Sequence, residues 1–293
     1  MDIKYFFPPV LLHRLRYIKH YIYFLRHRAT INKNSRFRNI HHGKRCFIIG
    51  SGPSMASLDI SALANEHVIA LNSFFLNPQC NQVLEQSMPE KYYLAPPNHA
   101  PQTEDNWTQT LRKMQEEIVH PVSMFWGINN NQGNWKTIIE KNNFFSKCDV
   151  NYFFCGIGTR DGYRLKKEDM DLGAMSLSAS NALINGLELA LYLGFDEIYL
   201  IGFEHNHICV QRPEEYRAYP SAEHYEQEKK YDFGLDRPKH INYEILGNNY
   251  YTFKLYLEIA KLFPEKRIVN CTPSGILDVF PRMNFDDVLK SKI

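Results

Sequence analysis

The chain of 293 residues is short of the features that mark membrane-spanning, secreted or metal-scaffolded proteins. No run of about 18 uncharged apolar residues occurs, so a transmembrane helix is not expected. The opening stretch MDIKYFFPPVLLHRLRYIKHYIYFLRH is broken by charges and lacks a small-residue cleavage site, which argues against a secretory signal. Six cysteines, at 46, 80, 148, 155, 209 and 271, stand singly with no CxxC pair. That spacing disfavours a disulfide framework or a zinc site and fits a reducing cytoplasm. Internal repeats and low-complexity tracts are absent. What is present is an ordinary globular share of apolar residues, 44%, with 14% aromatic.

Acidic residues are missing from one region in particular. Residues 1–45 hold eleven Lys/Arg and only Asp2, while the other 248 residues carry 23 basic and 31 acidic side chains. A total of +2 therefore hides a strongly basic N-terminal arm on an acidic body. Leu11, Leu15, Ile18, Ile22 and Leu25 recur at helical spacing, flanked by Arg14, Lys19 and Arg26, with Tyr17, Tyr21 and Tyr23 beside them. Such a helix fits an anionic membrane surface, here through residues 1–30. A helix packed on the domain is the alternative. Nucleic acid is disfavoured as a partner, because the body is acidic and no binding motif is present.

From residue 44 the pattern alternates between short apolar runs and helical stretches. Strands are expected at 44–50, 67–75, 91–95, 122–126, 150–155, 197–203 and 267–271. Helices are expected at about 105–118, 180–193 and 247–262, the second capped by Ser180 and stopped by Gly194. The alternation predicts an α/β fold, a mostly parallel Rossmann-like sheet with helices on both faces. Reactive groups are then expected in loops beyond the carboxyl ends of the strands. The first such loop is Gly50-Ser51-Gly52-Pro53-Ser54, whose glycines allow close approach of a ligand, with amides at a following helix start favouring an anion. It lacks the third glycine of the dinucleotide fingerprint and the Gly-Lys-Ser/Thr of a Walker loop.

Three segments, FIIGSGPSM, VIALNSFF and SNALINGLELALYLGFDEIYLIGFEHN, together resemble the core of the family-42 bacterial sialyltransferases. They are also similar to MptE-like (DUF115-type) proteins of surface-polysaccharide gene clusters. The resemblance covers residues 44–75 and 178–280. It implies a GT-A-like nucleotide-binding domain over 44–293 with a lid, placed at about 207–245, while the charge asymmetry and the first strand at 44 set residues 1–43 apart as an arm. It further implies inverting, metal-independent transfer of an acidic sugar (sialic acid, another nonulosonate or Kdo) from a CMP donor. The acceptor would be a glycan or lipid-linked glycan of capsule or lipopolysaccharide. Ser51, Gly52 and Ser54 match the family's first loop, with Ser51 in place of an asparagine, and Asn72 matches its nucleotide-contacting asparagine, followed by Ser73. Ser180 and Asn181 fall near a Thr-Ser pair, and Thr272 and Ser274 lie in a turn like the family's Cys-Pro-Asn-Ser. The family's base histidine has no counterpart near 245–247, and its phosphate-contacting tyrosine corresponds to Asn206.

The chemistry names substitutes. A base near neutral pH points to histidine, hence His205 beyond a strand end, His224 in the lid, and His240. Phosphate charge could be met by Arg160 or by lid tyrosines, Tyr225 among them. His205 and His207 form an HxH pair that could share a metal, but no DxD motif accompanies it. No metal or cofactor is therefore expected. The expected place of work is the cytoplasm, peripheral at the inner membrane face, with self-association left open. Two other functions stand beside this one: an MptE-like pterin diphosphokinase and a non-catalytic nucleotide- or carbohydrate-binding assembly protein.

Overall fold

Eight parallel strands form one sheet in the order β6-β5-β4-β3-β2-β1-β7-β8. They are β1 (Arg45–Ile49), β2 (His67–Leu71), β3 (Lys91–Ala95), β4 (Ser123–Ile128), β5 (Asp149–Gly158), β6 (Met175–Ser178), β7 (Glu197–Ile201) and β8 (Arg267–Asn270). This computed structural model describes residues 8–85, 89–99, 102–131, 133–159, 163–178, 181–210, 215, 217–219 and 241–291. Helices α1 (Pro9–Ile31), α2 (Cys80–Leu84), α3 (Glu104–Glu117), α4 (Trp135–Asn142), α5 (Ala182–Leu193), α6 (Ile241–Leu262) and α7 (Phe285–Lys290) cover both sides of the sheet. Strands covered on both faces must be apolar throughout, and β1, β2, β3 and β7 are almost wholly buried. The α/β reading and the parallel sheet hold as expected.

Local chemistry sets the boundaries. The helix expected from Ser180 is capped one residue later, by Asn181, whose side chain accepts the Leu183 amide at 2.9 Å. Gly194 ends it in the left-handed conformation, at φ 91°. Strand β2 stops at Leu71 rather than 75, because Asn72 turns the chain at φ 50° into a short 3₁₀ turn. Four elements escaped the periodicity argument, namely β6, α2, α4 and α7.

Residues 8–43, within the stretch expected as a separate arm, pack on the domain. Phe24, Ile31 and Phe37 are buried in the main core. Asn34 is fully buried and donates to the carbonyls of Tyr152 at 2.9 Å and Leu172 at 2.8 Å. The boundary at 43 therefore cuts through packed structure. Helix α1 runs antiparallel to β5: His13 bonds Gly158 at the carboxyl end of that strand, while Arg36 pairs with Asp149 at its start.

The sheet's amino-terminal edge is closed. Arg45 grips the Glu66 carboxylate with two hydrogen bonds, of 3.0 and 2.6 Å. Lys91 donates to the carbonyls of Leu63, Ala64 and Glu66, and burial pulls its pKa down to about 8. His41, stacked on Phe195, bonds the Tyr92 hydroxyl at 2.6 Å and faces His67.

Candidate functional site

The strand order reverses direction between β1 and β7, and the turns leaving these two strands meet there. In open α/β sheets ligands bind in such a crevice. The Gly50 amide bonds the Ile201 carbonyl at 2.8 Å and the Gly52 amide bonds that of Gly202 at 3.0 Å, so the first loop is sewn onto the end of β7. A Cβ on Gly50 would meet the Gly202 carbonyl, and one on Gly52 would collide with the Glu204 carboxylate. Crowding by the protein itself explains both glycines, where the sequence suggested close approach of a ligand.

The loop's amides are also differently employed than expected. Only a four-residue 3₁₀ turn, Pro53–Ala56, follows, so no helix start is available to an anion. The Ser54 amide instead donates to the buried Glu204 carboxylate at 2.9 Å.

Two non-glycine residues at strand tips hold positive φ beside this loop: Asn72 at 50° and His205 at 55°. Such conformations persist only where surroundings enforce them. The Tyr93 hydroxyl does so for Asn72, donating to its carbonyl and accepting the Phe75 amide at 3.0 Å. For His205 the partner is the Tyr256 hydroxyl, 3.1 Å from Nε2 and 3.2 Å from the Asn181 Oδ1. Phe253 and Tyr256 both meet the imidazole edge to face. Burial pulls the His205 pKa down to about 4, so the ring is neutral at neutral pH.

These turns open onto a cleft of about 640 Å³, inside the ~300–1,000 Å³ span of small-molecule sites. Gly50, Ser51, Gly52, Asn72, Ser73, Asn181 and His205 line it. Across from them stands an aromatic wall of Trp107, Trp126 and Trp135, with adjacent rings 5.0 and 5.1 Å apart. Trp135 is fixed by its indole N–H on the Pro96 carbonyl, at 2.7 Å. Several buried polar atoms of lining residues have no protein partner: Asn98 Oδ1, Gln102 Oε1, Trp126 Nε1, Glu204 Oε2 and Asn206 Oδ1. Arg217 brings a cation to the lining, next to Ala218, whose amide bonds the Ser51 carbonyl at 3.0 Å.

Other expected residues fall elsewhere. Pro53 and Ser54 lie behind the loop and do not line the cleft. Thr272 is buried structure, its hydroxyl accepting the Phe203 amide at 3.0 Å. Ser274 offers only its carbonyl, to Arg282 at 3.2 Å. Arg282 binds four carbonyls of the 272–277 turn. Arg160, Ser180, His224, Tyr225 and His240, with most of the expected lid, lie outside the described residues.

The HxH argument assumed a strand, but β7 ends at Ile201 and His207 opens a 3₁₀ turn. Asp169-Met170-Asp171 has DxD spacing that the sequence reading passed over. Asp169 accepts from the Tyr163 hydroxyl and the Lys166 amide, Asp171 pairs with Arg38, and neither lines the cleft. Among the described residues, the one group able to hold a metal ion is His41, His67 and Glu90, at the opposite edge of the sheet. There His67 lies 3.3 Å from Glu90, and Lys44 and Lys91 act electrostatically on the same ring, which disfavours a bound cation.

The sequence reading missed the aromatic wall, Asn98, Gln102 and Arg217. The apolar-Pro-Pro-Asn run after β3 was the available signal, since such a turn at a strand's carboxyl end faces the crevice. No family model and no curated protein matches this chain. Among solved structures, it is similar to the sialyltransferase CstII of Campylobacter jejuni bound to a substrate analogue, cytidine-5'-monophosphate, at 16% identity and TM-score 0.41, over 86% of this chain and 88% of that one. The same holds for a sialyltransferase CST-II complex with a trisaccharide acceptor and CMP, at 15% identity and TM-score 0.39, over 85% of this chain and 89% of that one.

Proposed function

We propose that the cleft binds a CMP-activated acidic sugar and transfers it, with inversion and without a metal, to a glycan hydroxyl. The observation that carries this reading is the convergence, at one switch point, of the Gly50–Gly52 turn, Asn72 and a neutral histidine. The turn and Asn72 are positions at which the sequence resembles family-42 sialyltransferases, and His205 is the substitute for a family base that has no counterpart here. The aromatic wall offers a stacking surface for a base or sugar ring, and the unpartnered polar atoms supply hydrogen bonds. Arg217 is the described cation for the leaving phosphate.

His205 is the base in this reading, and its environment sets a condition on that role. A pKa of about 4 makes a weak proton acceptor. Phosphate and carboxylate of the donor would bring negative charge beside the imidazole and raise its proton affinity. Donor binding thus primes the base. In the diphosphokinase alternative, acidic groups would gather at the strand ends for Mg²⁺. Among the described lining residues Glu204 is the acid, and one of its oxygens already holds Ser54.

The test is calorimetry with CMP, UDP, GDP and ATP, the last with and without Mg²⁺. Binding of CMP alone, weakened by Asn72→Ala and indifferent to EDTA, is the expected result. Binding of ATP only with Mg²⁺ would move the protein to the diphosphokinase class. CMP binding without sugar transfer to any glycan acceptor would leave a binding protein.

A further inference from the structure

Helix α1 packs against β5 with a mixed face of histidines and apolar side chains. His13, His20, Phe24, His27 and Ile31, one or two turns apart, form its inward face. His13 bonds the Gly158 carbonyl at 3.1 Å and His20 bonds Asn130 at 3.1 Å, while Phe24 and His27 rest on Phe154. Burial lowers the pKa values of His20 and His27, so both are neutral in the contact. The apolar stripe lies on the opposite side. Leu11, Leu15, Ile18, Ile22 and Leu25 are each 41–55% exposed. At about 100° per residue they fall within a narrow arc of the helix, with Arg14 on one border and Lys19 and Arg26 on the other.

We propose that this outward stripe is a docking face for an anionic lipid bilayer. Contiguous apolar surface rimmed by charge marks an interaction site rather than ordinary exposure. The helix contains no acidic residue, and none of its exposed Arg and Lys side chains has a carboxylate partner among the described residues. A second copy is a poor occupant, because pairing two stripes would press Arg14, Lys19 and Arg26 against their own like charges. An anionic bilayer matches both parts of the pattern: acyl chains take the leucines and isoleucines, and headgroup phosphates take the flanking cations. Tyr21, exposed and 6.2 Å from the Tyr17 ring, stands just beyond Arg14 at the border of the stripe and suits the headgroup level.

The placement also connects the helix to the cleft. His20 holds Asn130, and the residues on either side of it, Asn129 and Asn131, line the cleft. The amino-terminal half of α1 therefore lies at the same edge of the sheet as the cleft mouth. A bilayer under the stripe would lie beside that mouth, where a lipid-linked substrate could reach it. This last step rests on the glycosyltransferase reading, whereas the docking does not.

The experiment is co-sedimentation of the full chain with phosphatidylcholine vesicles, with and without phosphatidylglycerol. Wild type should bind the anionic vesicles and release them as salt rises. Ile18→Glu with Ile22→Glu should abolish binding, and Lys19→Gln with Arg26→Gln should weaken it roughly fivefold per charge removed. All four side chains are exposed, so both variants should melt at the wild-type temperature. If the glutamate variant melts early, the glutamine variant decides. Unchanged vesicle binding in the glutamine variant, or a wild-type dimer that the glutamate pair dissociates without any lipid binding, would overturn the proposal. Calorimetry with CMP, run on each variant without vesicles, should be unaffected, which separates failure of the docking face from failure of the nucleotide site.

Discussion

The two edges of the sheet hold histidines in similar electrostatic straits and use them in opposite ways. His41, at the amino-terminal edge, is 2% exposed, packed on Phe195 and bonded to Tyr92. His205, at the carboxyl edge, is bonded to Tyr256 and lines a cleft. Burial pulls each pKa down to about 4, helped at His41 by the neighbouring His67. Buried polar atoms without a hydrogen-bond partner occur at both edges, His41 Nδ1 at one and Glu204 Oε2 at the other, but one edge closes on itself with Arg45–Glu66 and the Lys91 carbonyl cradle, while the other opens into the cleft. Desolvation alone therefore does not mark a site. Desolvation beside open volume does.

Separating activity from stability tests this contrast most sharply. His205→Ala should cut turnover by about 10²–10⁴, while CMP affinity, measured separately by calorimetry, persists. Near-normal turnover at saturating donor would make His205 a structural residue and pass the role to His224 or His240.

At the closed edge the converse is expected. Phe37 packs on Tyr92 and Phe125, and Phe37→Ala should cost about 3–5 kcal/mol in denaturant unfolding with CMP affinity of the folded protein unchanged. A loss below about 1 kcal/mol would restore the view of residues 1–43 as a detachable arm.

Much of this frame was legible in the chain. Short β-branched and aromatic runs announced seven of the strands because burial on both faces demands them. The four-residue β6, Met-Ser-Leu-Ser, carries too little apolar signal. It is held by pairing with β5, and long-range pairing leaves no local trace. Helix α4 follows an asparagine-rich stretch that reads as loop until Asn134 caps it on the Thr137 amide. At the site, His205 was readable as a residue beyond a strand end, and Asn72 only through the family resemblance, since the apolar run reads as strand to residue 75. The tryptophan wall was not, since the expected elements contain Trp107 and Trp126 without saying which edge they face, and none contains Trp135. Nor could the sequence show that Glu204 would occupy the Ser54 amide.

A smaller effect is expected at Asn72. Glycine tolerates its φ of 50°, so Asn72→Gly should change folding free energy by less than about 1 kcal/mol. Its CMP affinity should still fall about three- to tenfold with the loss of a hydrogen bond. Equal affinity in mutant and wild type would remove the side chain from the site.

The smallest and broadest effects concern pH. His41 titrates near 6.5 when unfolded and about 4 when folded, so below pH 6.5 the unfolded chain binds a proton that the native state refuses. Its contribution is full above that pH and is lost as pH falls toward 4. Buried Glu188, raised to about 8 by desolvation, works in the other direction. The native state keeps its proton while the unfolded chain releases it, so stability falls as pH rises from about 4.5 to 8. Thermal melts across pH should show both limbs. Glu188→Gln should flatten the alkaline limb, and His41→Gln the acid one, each by no more than about 1.4 kcal/mol per pH unit. Parallel pH profiles in wild type and Glu188→Gln would mean that the carboxyl is ionised inside the helix.

The sewing of the Gly50–Gly52 turn onto β7 has a consequence for how the protein is made. Strand β1 leaves the ribosome early and finds β2 soon after, but its other neighbour does not begin until Glu197. One edge of the central strand therefore waits, unpaired, for most of synthesis, and such edges invite association with other nascent chains. The turn's own amides have nothing to bond until Ile201 and Gly202 arrive. Ligand competence is thus a late event in biogenesis, and a chain truncated before β7 would carry six of the eight strands and lack the cleft wall that holds Glu204 and His205.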